Sequence, residues 1–162
     1  MPPGTITTET TPLEPAQIHY QWIQRVYVLL DDYDRVILEK HNLNKSEYRT
    51  LLLLDQSPGK RLTTISEKLL LSKSTITRVI DVLEGRGWVE RIPDHVDRRA
   101  LRVVLTAEGA RRRDHVYQVH QRALDEIFQA LDEGERESLD HLLKSLFTCL
   151  KSSMNGGNSN TT

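Results

Sequence analysis

The chain has 162 residues, 38% hydrophobic and 28% charged, enough apolar material for a buried core and too much for a wholly disordered chain. Its 22 Lys and Arg nearly balance 23 Asp and Glu for a net charge of −1, which excludes a uniformly basic nucleic-acid coat protein. A single cysteine, Cys149, excludes an internal disulfide framework and a Cys-rich zinc module, and no apolar run approaches the roughly 18 residues a membrane span needs.

Residues 1–15, rich in Thr, Pro and Glu, read as a flexible tail. They hold no Lys or Arg and no apolar stretch, unlike a signal peptide, so a cytoplasmic setting is expected. From Ala16 to about Lys40, Ile18, Trp22, Val26, Leu29, Leu30, Tyr33, Val36 and Ile37 fall at helical spacing. Asn44 with Glu47 three residues on is a capping-box pattern that opens a second helix carrying Tyr48, Leu51, Leu52 and Leu54, stopped by Ser57-Pro58-Gly59. Thr64 and Glu67 repeat that pattern and predict the start of a short third helix with Ile65, Leu69 and Leu70 inward.

Ser72 caps the next predicted helix, which runs to about Glu84 with Ile76, Val79, Ile80 and Leu83 on its apolar face, before Gly85 and Gly87. Two short helices across a tight break describe a helix-turn-helix. Trp88 to Ile92 and Leu101 to Leu105 are rich in Val, Ile and Leu and read as two strands around a polar loop. In the second strand Leu101, Val103 and Leu105 alternate with Arg102 and Val104. Thr106 then caps a long helix with Val116, Val119, Leu124, Ile127 and Leu131 on one stripe. Asp132 with Glu135 opens a last helix carrying Leu139, Leu142, Leu143, Leu146, Phe147 and Leu150.

This order predicts a mainly α fold with a small β-hairpin wing: a winged helix-turn-helix flanked by N- and C-terminal dimerisation helices. The divisions fall at 1–15 (tail), 16–43 (dimerisation helix), 44–109 (winged helix-turn-helix), 110–152 (C-terminal dimerisation helices) and 153–162 (tail). The flanking helices carry more apolar stripe than so small a core consumes, which points to a second copy of the chain.

The near-neutral total hides an asymmetry. Lys60 to Arg113 holds 13 basic and seven acidic residues, a balance of +6, against −7 in the rest of the chain. A basic middle between acidic ends attracts a polyanion to one face. On the predicted recognition helix the outward set is Ser74, Thr75, Thr77, Arg78 and Asp81, mostly short, polar or basic side chains suited to a major groove. Lys73 lies in the first turn, where a phosphate would offset its clash with the helix dipole. At the hairpin tip Asp97, Arg98 and Arg99 put two guanidinium groups on a protruding loop, and arginine suits the enhanced negative potential of a narrow minor groove.

The stretch Ser-Lys-Ser-Thr-Ile-Thr-Arg-Val-Ile-Asp-Val-Leu-Glu-Gly-Arg-Gly-Trp-Val-Glu-Arg from Ser72, then Pro93-Asp94, Asp97-Arg98-Arg99 and Leu105-Thr106-Ala-Glu-Gly109, resembles the MarR family of bacterial transcription factors. The resemblance runs from about Ile18 to Leu150. It implies a homodimer joined through its terminal helices on a pseudo-palindromic operator in double-stranded DNA, with half-sites spaced roughly 34 Å. The helix from Lys73 would lie in the major groove, Arg99 would enter the minor groove with Asp97 buttressing it, and Arg98 would sit near phosphate. Most relatives repress and let go of DNA when a small phenolic or other effector binds.

The family's effector pocket lies between the DNA-binding lobe and the dimerisation helices, which nominates His19, Trp22, Tyr27, Tyr48 and Arg49 for an aromatic anion. Cys149 lies beside Phe147 and Leu150 and reads as an inert buried thiol rather than a redox sensor. No metal or cofactor is expected. Among the six histidines, His115 and His120 are five apart, not the three or four of a helical metal pair, and Glu39 with His41 is part of the set that zinc-dependent relatives use. An enzyme is disfavoured by the lack of a Gly-rich phosphate loop or a Gly-x-Ser-x-Gly elbow. A winged helix acting only as a protein-interaction module stays open as the alternative, as does a redox- or zinc-controlled repressor of the same family.

Overall fold

The computed structural model describes residues 14–94, 96, 97 and 100–156. Helix α1 spans Pro15–Glu39, with Pro15 in the first turn, where a missing N–H costs nothing. Helix α2 spans Lys45–Leu53 and is opened by the capping box that the sequence predicts: the Asn44 side chain accepts the Glu47 N–H at 2.9 Å, and Glu47 accepts the Asn44 N–H at 3.1 Å.

A two-residue strand, β1 (Lys60–Arg61), was not expected from the sequence, because no alternation can be read from two residues. Helix α3 (Leu62–Leu69) follows it directly. The helix therefore starts two residues before Thr64, and the Thr64–Glu67 capping box is not its N-cap. Extended Arg61 takes that place without a side-chain cap. Leu70, in the left-handed region at φ 55°, ends α3, and α4 (Lys73–Gly85) begins after Ser72, whose hydroxyl accepts the Thr75 N–H at 3.1 Å.

Strands β2 (Val89–Pro93) and β3 (Leu101–Leu105) form the hairpin, with Val89 opposite Leu105 and Pro93 opposite Leu101. The sheet order is β1-β3-β2, antiparallel throughout, so β3 is its central strand. That overrides the expected alternation: Val103, Val104 and Leu105 are all buried, and Leu101 is exposed. Val104 is covered because the chain before β1 passes close over it. A Cβ on Gly59, at φ +73°, would come within 2.5 Å of Val104 Cγ1.

Helix α5 (Ala107–Phe128) is capped by Thr106, whose Oγ1 accepts the Gly109 N–H at 2.9 Å and donates to the Gly87 carbonyl at 2.7 Å. Helix α6 (Glu133–Gly156) opens with the predicted Asp132–Glu135 reciprocal pair, both bonds 2.8 Å. Among the described residues no helix is long and apolar enough to cross a membrane.

The chain divides into two compact units, one ending at Val116 and the other starting at Tyr117. In the first, Leu38, Tyr48, Leu51, Leu54, Ile65, Ile76, Ile80, Leu83, Val89, Val103, Leu105 and Val116 form a continuous core. The first turns of α5 belong to it: Val116 is fully buried, and Arg113 Nη1 donates to the Leu54 carbonyl at 3.1 Å. Most of the apolar stripe of α1 lies outside that core, with Trp22, Val26 and Leu29 at least half exposed. In the second unit α6 leaves Leu142, Leu143, Phe147 and Leu150 exposed. Cys149 is exposed as well, which corrects the expectation of a buried thiol: among the described residues nothing covers this face of α6.

Candidate nucleic-acid interface

Helix α4 is amphipathic in the way a groove-reading helix must be. Ile76, Val79, Ile80 and Leu83 are buried, while Lys73, Ser74, Thr75, Thr77 and Arg78 are exposed. Its first turn is ordered by a hydroxyl cluster: Ser72 Oγ lies 2.9 Å from Ser74 Oγ and 2.7 Å from Thr75 Oγ1. Thr77 Oγ1 donates to the Lys73 carbonyl at 2.9 Å, which leaves its oxygen lone pairs outward as acceptors.

The acids of α4 do not cancel this surface. Arg91 on β2 reaches back to Asp81 at 2.5 Å and also pairs with Glu84, whose Oε1 accepts the Arg91 N–H at 3.1 Å. Among the described residues Lys73 and Arg78 pair with no carboxylate, so the exposed N-terminal half of α4 is a cationic, hydroxyl-bearing strip. An anion lying against the helix start also gains from the unpaired N–H groups there.

The wing root is organised by Asp94, which the motif contains but to which the sequence assigns no role. Asp94, fully buried, accepts from Arg61 Nε at 2.9 Å and Arg102 Nε at 2.7 Å on one oxygen, and from the N–H groups of Val96 and Asp97 at 2.8 and 3.0 Å on the other. These bonds, Arg61's first, hold its carboxyl well below the usual carboxylate range. The available signal was the Pro93-Asp94 dipeptide after a strand, where an Asx turn is favoured, but its arginine partner 33 residues upstream is invisible to spacing rules. Asp97 is exposed at the tip, its carbonyl accepting the Ala100 N–H at 2.8 Å. Arg98 and Arg99 lie outside the described residues.

The five residues nominated for an effector are not brought together. His19, Trp22 and Tyr27 are exposed along α1, Tyr48 is in the core, and Arg49 is exposed on α2. Trp22 lines a shallow groove along α1 with Gln21 and Arg25. A deeper cleft of about 620 Å³ lies elsewhere, between α1, the start of α2 and α4. Leu43 and Val79 are its apolar floor, Asp31, Arg35, Glu39 and Lys45 its charged rim, and Ser74, Thr75 and Arg78 its third wall. Lys45 is engaged by Asp31 and Asp34, and Arg35 by Asp32 and Glu39, which leaves Arg78 as the uncommitted cation of the cleft among the described residues.

Behind α4, Trp88 lies beside two guanidinium groups, Arg86 at 5.1 Å and Arg112 at 5.3 Å from its ring centroid. Arg112 also donates to the His41 carbonyl. His41 and His115 meet edge to face at 5.4 Å, and His41 is shifted below the usual histidine range by burial first, then by the charges of Arg112 and His115. Among the described residues no three His, Cys, Asp or Glu side chains converge as a metal site.

The MarR family model matches residues 43–101. The chain is 30% identical over 122 residues to the HTH-type transcriptional regulator MhqR of Bacillus subtilis strain 168, an alignment covering 75% of this chain and 84% of that one. It is 27% identical over 124 residues to the transcriptional repressor MprA of Escherichia coli K12, covering 75% and 70%. Its fold superposes with a TM-score of 0.65 on a mutant MarR from E. coli complexed with operator DNA, at 26% identity, covering 78% of this chain and 91% of that one.

Proposed function

The chain belongs to the MarR family of transcriptional regulators, and from that premise we propose that it is a cytoplasmic, homodimeric repressor that leaves its pseudo-palindromic operator when a small amphipathic anion binds. One observation carries the DNA-reading part: α4 is anchored by Ile76, Ile80 and Leu83, and the cationic half of its outer face is spared neutralisation because Arg91 holds Asp81 and Glu84. In this reading Lys73, Ser74, Thr75, Thr77 and Arg78 enter the major groove, and Asp97, Arg98 and Arg99 form the minor-groove probe. The exposed apolar stripes of α1 and α6 support a second copy, since contiguous apolar faces left in water mark association surfaces.

Gel-shift titration of Arg78→Ala and Arg99→Ala on a duplex from the gene's own promoter tests the reading. Each variant should stay folded and lose roughly 1–3 kcal/mol per contact; a dimer loses that contact in both half-sites, a fall in affinity of at least about 30-fold. The wild-type log–log salt slope should be steep, roughly −0.9 per phosphate neutralised. Unchanged affinity and a flat salt response would leave the winged helix as a protein-interaction module. Sedimentation should give twice the chain mass, and a monomer at micromolar concentration would remove the dimer.

For the effector, the α1–α2–α4 cleft is the better receptor, because an apolar floor and one uncommitted arginine suit an aromatic carboxylate. Benzoate-type acids should raise the melting temperature of the wild type and of Trp22→Ala, but not of Arg78→Ala. The converse pattern would move the site to the Trp22 groove, and no shift in any of the three proteins would remove this ligand class.

A further inference from the structure

We propose that Asp94 is the positioning residue that fixes the wing against the helix-turn-helix, so that one buried carboxylate sets the spacing of the two DNA-reading elements; the inference rests on the DNA-binding reading above. Three pieces of chain meet on it. Arg61 is the N-cap of α3, Arg102 lies in the middle strand, and Val96 and Asp97 begin the wing tip.

The register explains why a carboxylate is needed there. β1 and β3 are joined over only two residue pairs, and one of these sets Arg61 directly opposite Arg102. Like charges in that relation push strands apart. Asp94 Oδ2 sits between the two Nε–H donors and turns the repulsive pair into a shared ion pair. Arg102 also donates to the Gly59 carbonyl at 2.8 Å, so the same cluster anchors the chain entering β1. Oδ1 meanwhile holds the two tip amides. The carboxylate thus links the origin of the helix-turn-helix to the base of the wing. It has no exposure through which to touch DNA itself.

Asp94→Asn reverses this. The amide keeps one carbonyl oxygen, but if that oxygen stays on the tip amides the NH₂ group faces two arginine donors. The substitution also removes a negative charge, so electrostatics alone would tighten binding to any duplex. Loss of sequence-specific affinity with non-specific affinity retained, in a variant whose circular-dichroism spectrum matches the wild type, is therefore a signature of positioning, which a charge effect alone does not produce.

The test uses the full-length protein, a duplex that the wild type selects from a random pool, and an unselected duplex of equal length. Asp94→Asn should bind the selected duplex about tenfold more weakly, the scale of one lost base-pair preference, and the unselected one at least as tightly as wild type. Arg61→Ala alters a side chain that is 40% exposed and leaves the Asp94–Arg102 pair in place, so it keeps the test open if the first variant folds poorly. It should reduce the ratio of selected to unselected affinity in the same direction. If the wild type selects a sequence and both variants keep the wild-type ratio, the positioning role is overturned while the DNA-binding reading stands. If the wild type enriches no sequence, the DNA-binding reading falls, and this inference with it.

Discussion

Replacing Gly109 with alanine should cost the winged helix at least about 3 kcal/mol, the upper end of ordinary overpacking, although alanine is the better helix former by about 1 kcal/mol. A Cβ at Gly109 would sit 1.8 Å from the Trp88 carbonyl oxygen, 2.7 Å from its carbon and 3.0 Å from Trp88 Cα. These are backbone atoms with little room to retreat. The Trp88 carbonyl accepts the Thr106 N–H at 3.1 Å, and the Trp88 N–H donates to the Leu83 carbonyl at 3.0 Å. Relief of the clash has to move the start of α5, the start of β2 or both, and the core that they share with Leu83. At roughly 2–4 °C per kcal/mol for a chain of this length, thermal melts followed by circular dichroism should fall by about 6–12 °C. Gly85→Ala is the control. A Cβ there meets nothing within 4 Å, so its melt should be unchanged or slightly higher. Equal melts for wild type and Gly109→Ala would mean that α5 and Trp88 do not approach this closely.

That close approach gives the Leu105-Thr106-Ala-Glu-Gly109 stretch its physical meaning: Leu105 ends the central strand, Thr106 caps α5, and Gly109 lets the helix start pass Trp88. What the sequence made legible was of this local kind. Three of its helix caps (Asn44 with Glu47, Ser72, Asp132 with Glu135) involve atoms three residues apart, and periodicity assigned Ile76, Val79, Ile80 and Leu83 to the buried face of α4. What stayed hidden depends on partners far apart in the chain. β1 exists only because β3 lies beside it, and Val104, which alternation puts outside, is buried because the chain at Gly59 passes over it. Asp94 looks like a loop acid until Arg61 and Arg102 are folded around it. The Thr64–Glu67 pattern misled for the opposite reason: a valid local signal lost to a helix that begins two residues earlier, straight from a strand. The aromatic residues nominated for a pocket could not be placed by composition, since Tyr48 turns into the core while Trp22 and Tyr27 face outward from α1.

A second large loss is expected at the corner between α1 and α2, where Glu47→Ala should cost about 2–3 kcal/mol against about 1 kcal/mol for Asn44→Ala. Both substitutions break the same capping box, so the box alone predicts similar effects. The difference comes from Arg86. Glu47 is 5% exposed, and its Oε2 accepts from Arg86 Nη1 at 3.1 Å, while the same nitrogen donates to the Asn42 carbonyl at 2.7 Å and the guanidinium lies beside the Trp88 ring. Without Glu47 the guanidinium keeps the carbonyl and the ring but loses its countercharge. Removing one partner of a fully buried pair costs about 3–5 kcal/mol, and the 35% exposure of the Arg86 side chain scales that down. Urea denaturation of the two single variants decides the order. A double-mutant cycle with Arg86→Ala should then show coupling of at least about 0.5 kcal/mol for Glu47 and none beyond error for Asn44. If Asn44→Ala proved as costly as Glu47→Ala, the cap rather than the ion pair would be what holds this corner. Arg86 would then contribute through Trp88 and the Asn42 carbonyl alone. The expected ordering instead ties the corner to the C-terminal end of α4, because the residue that meets Glu47 is also the C-cap of that helix.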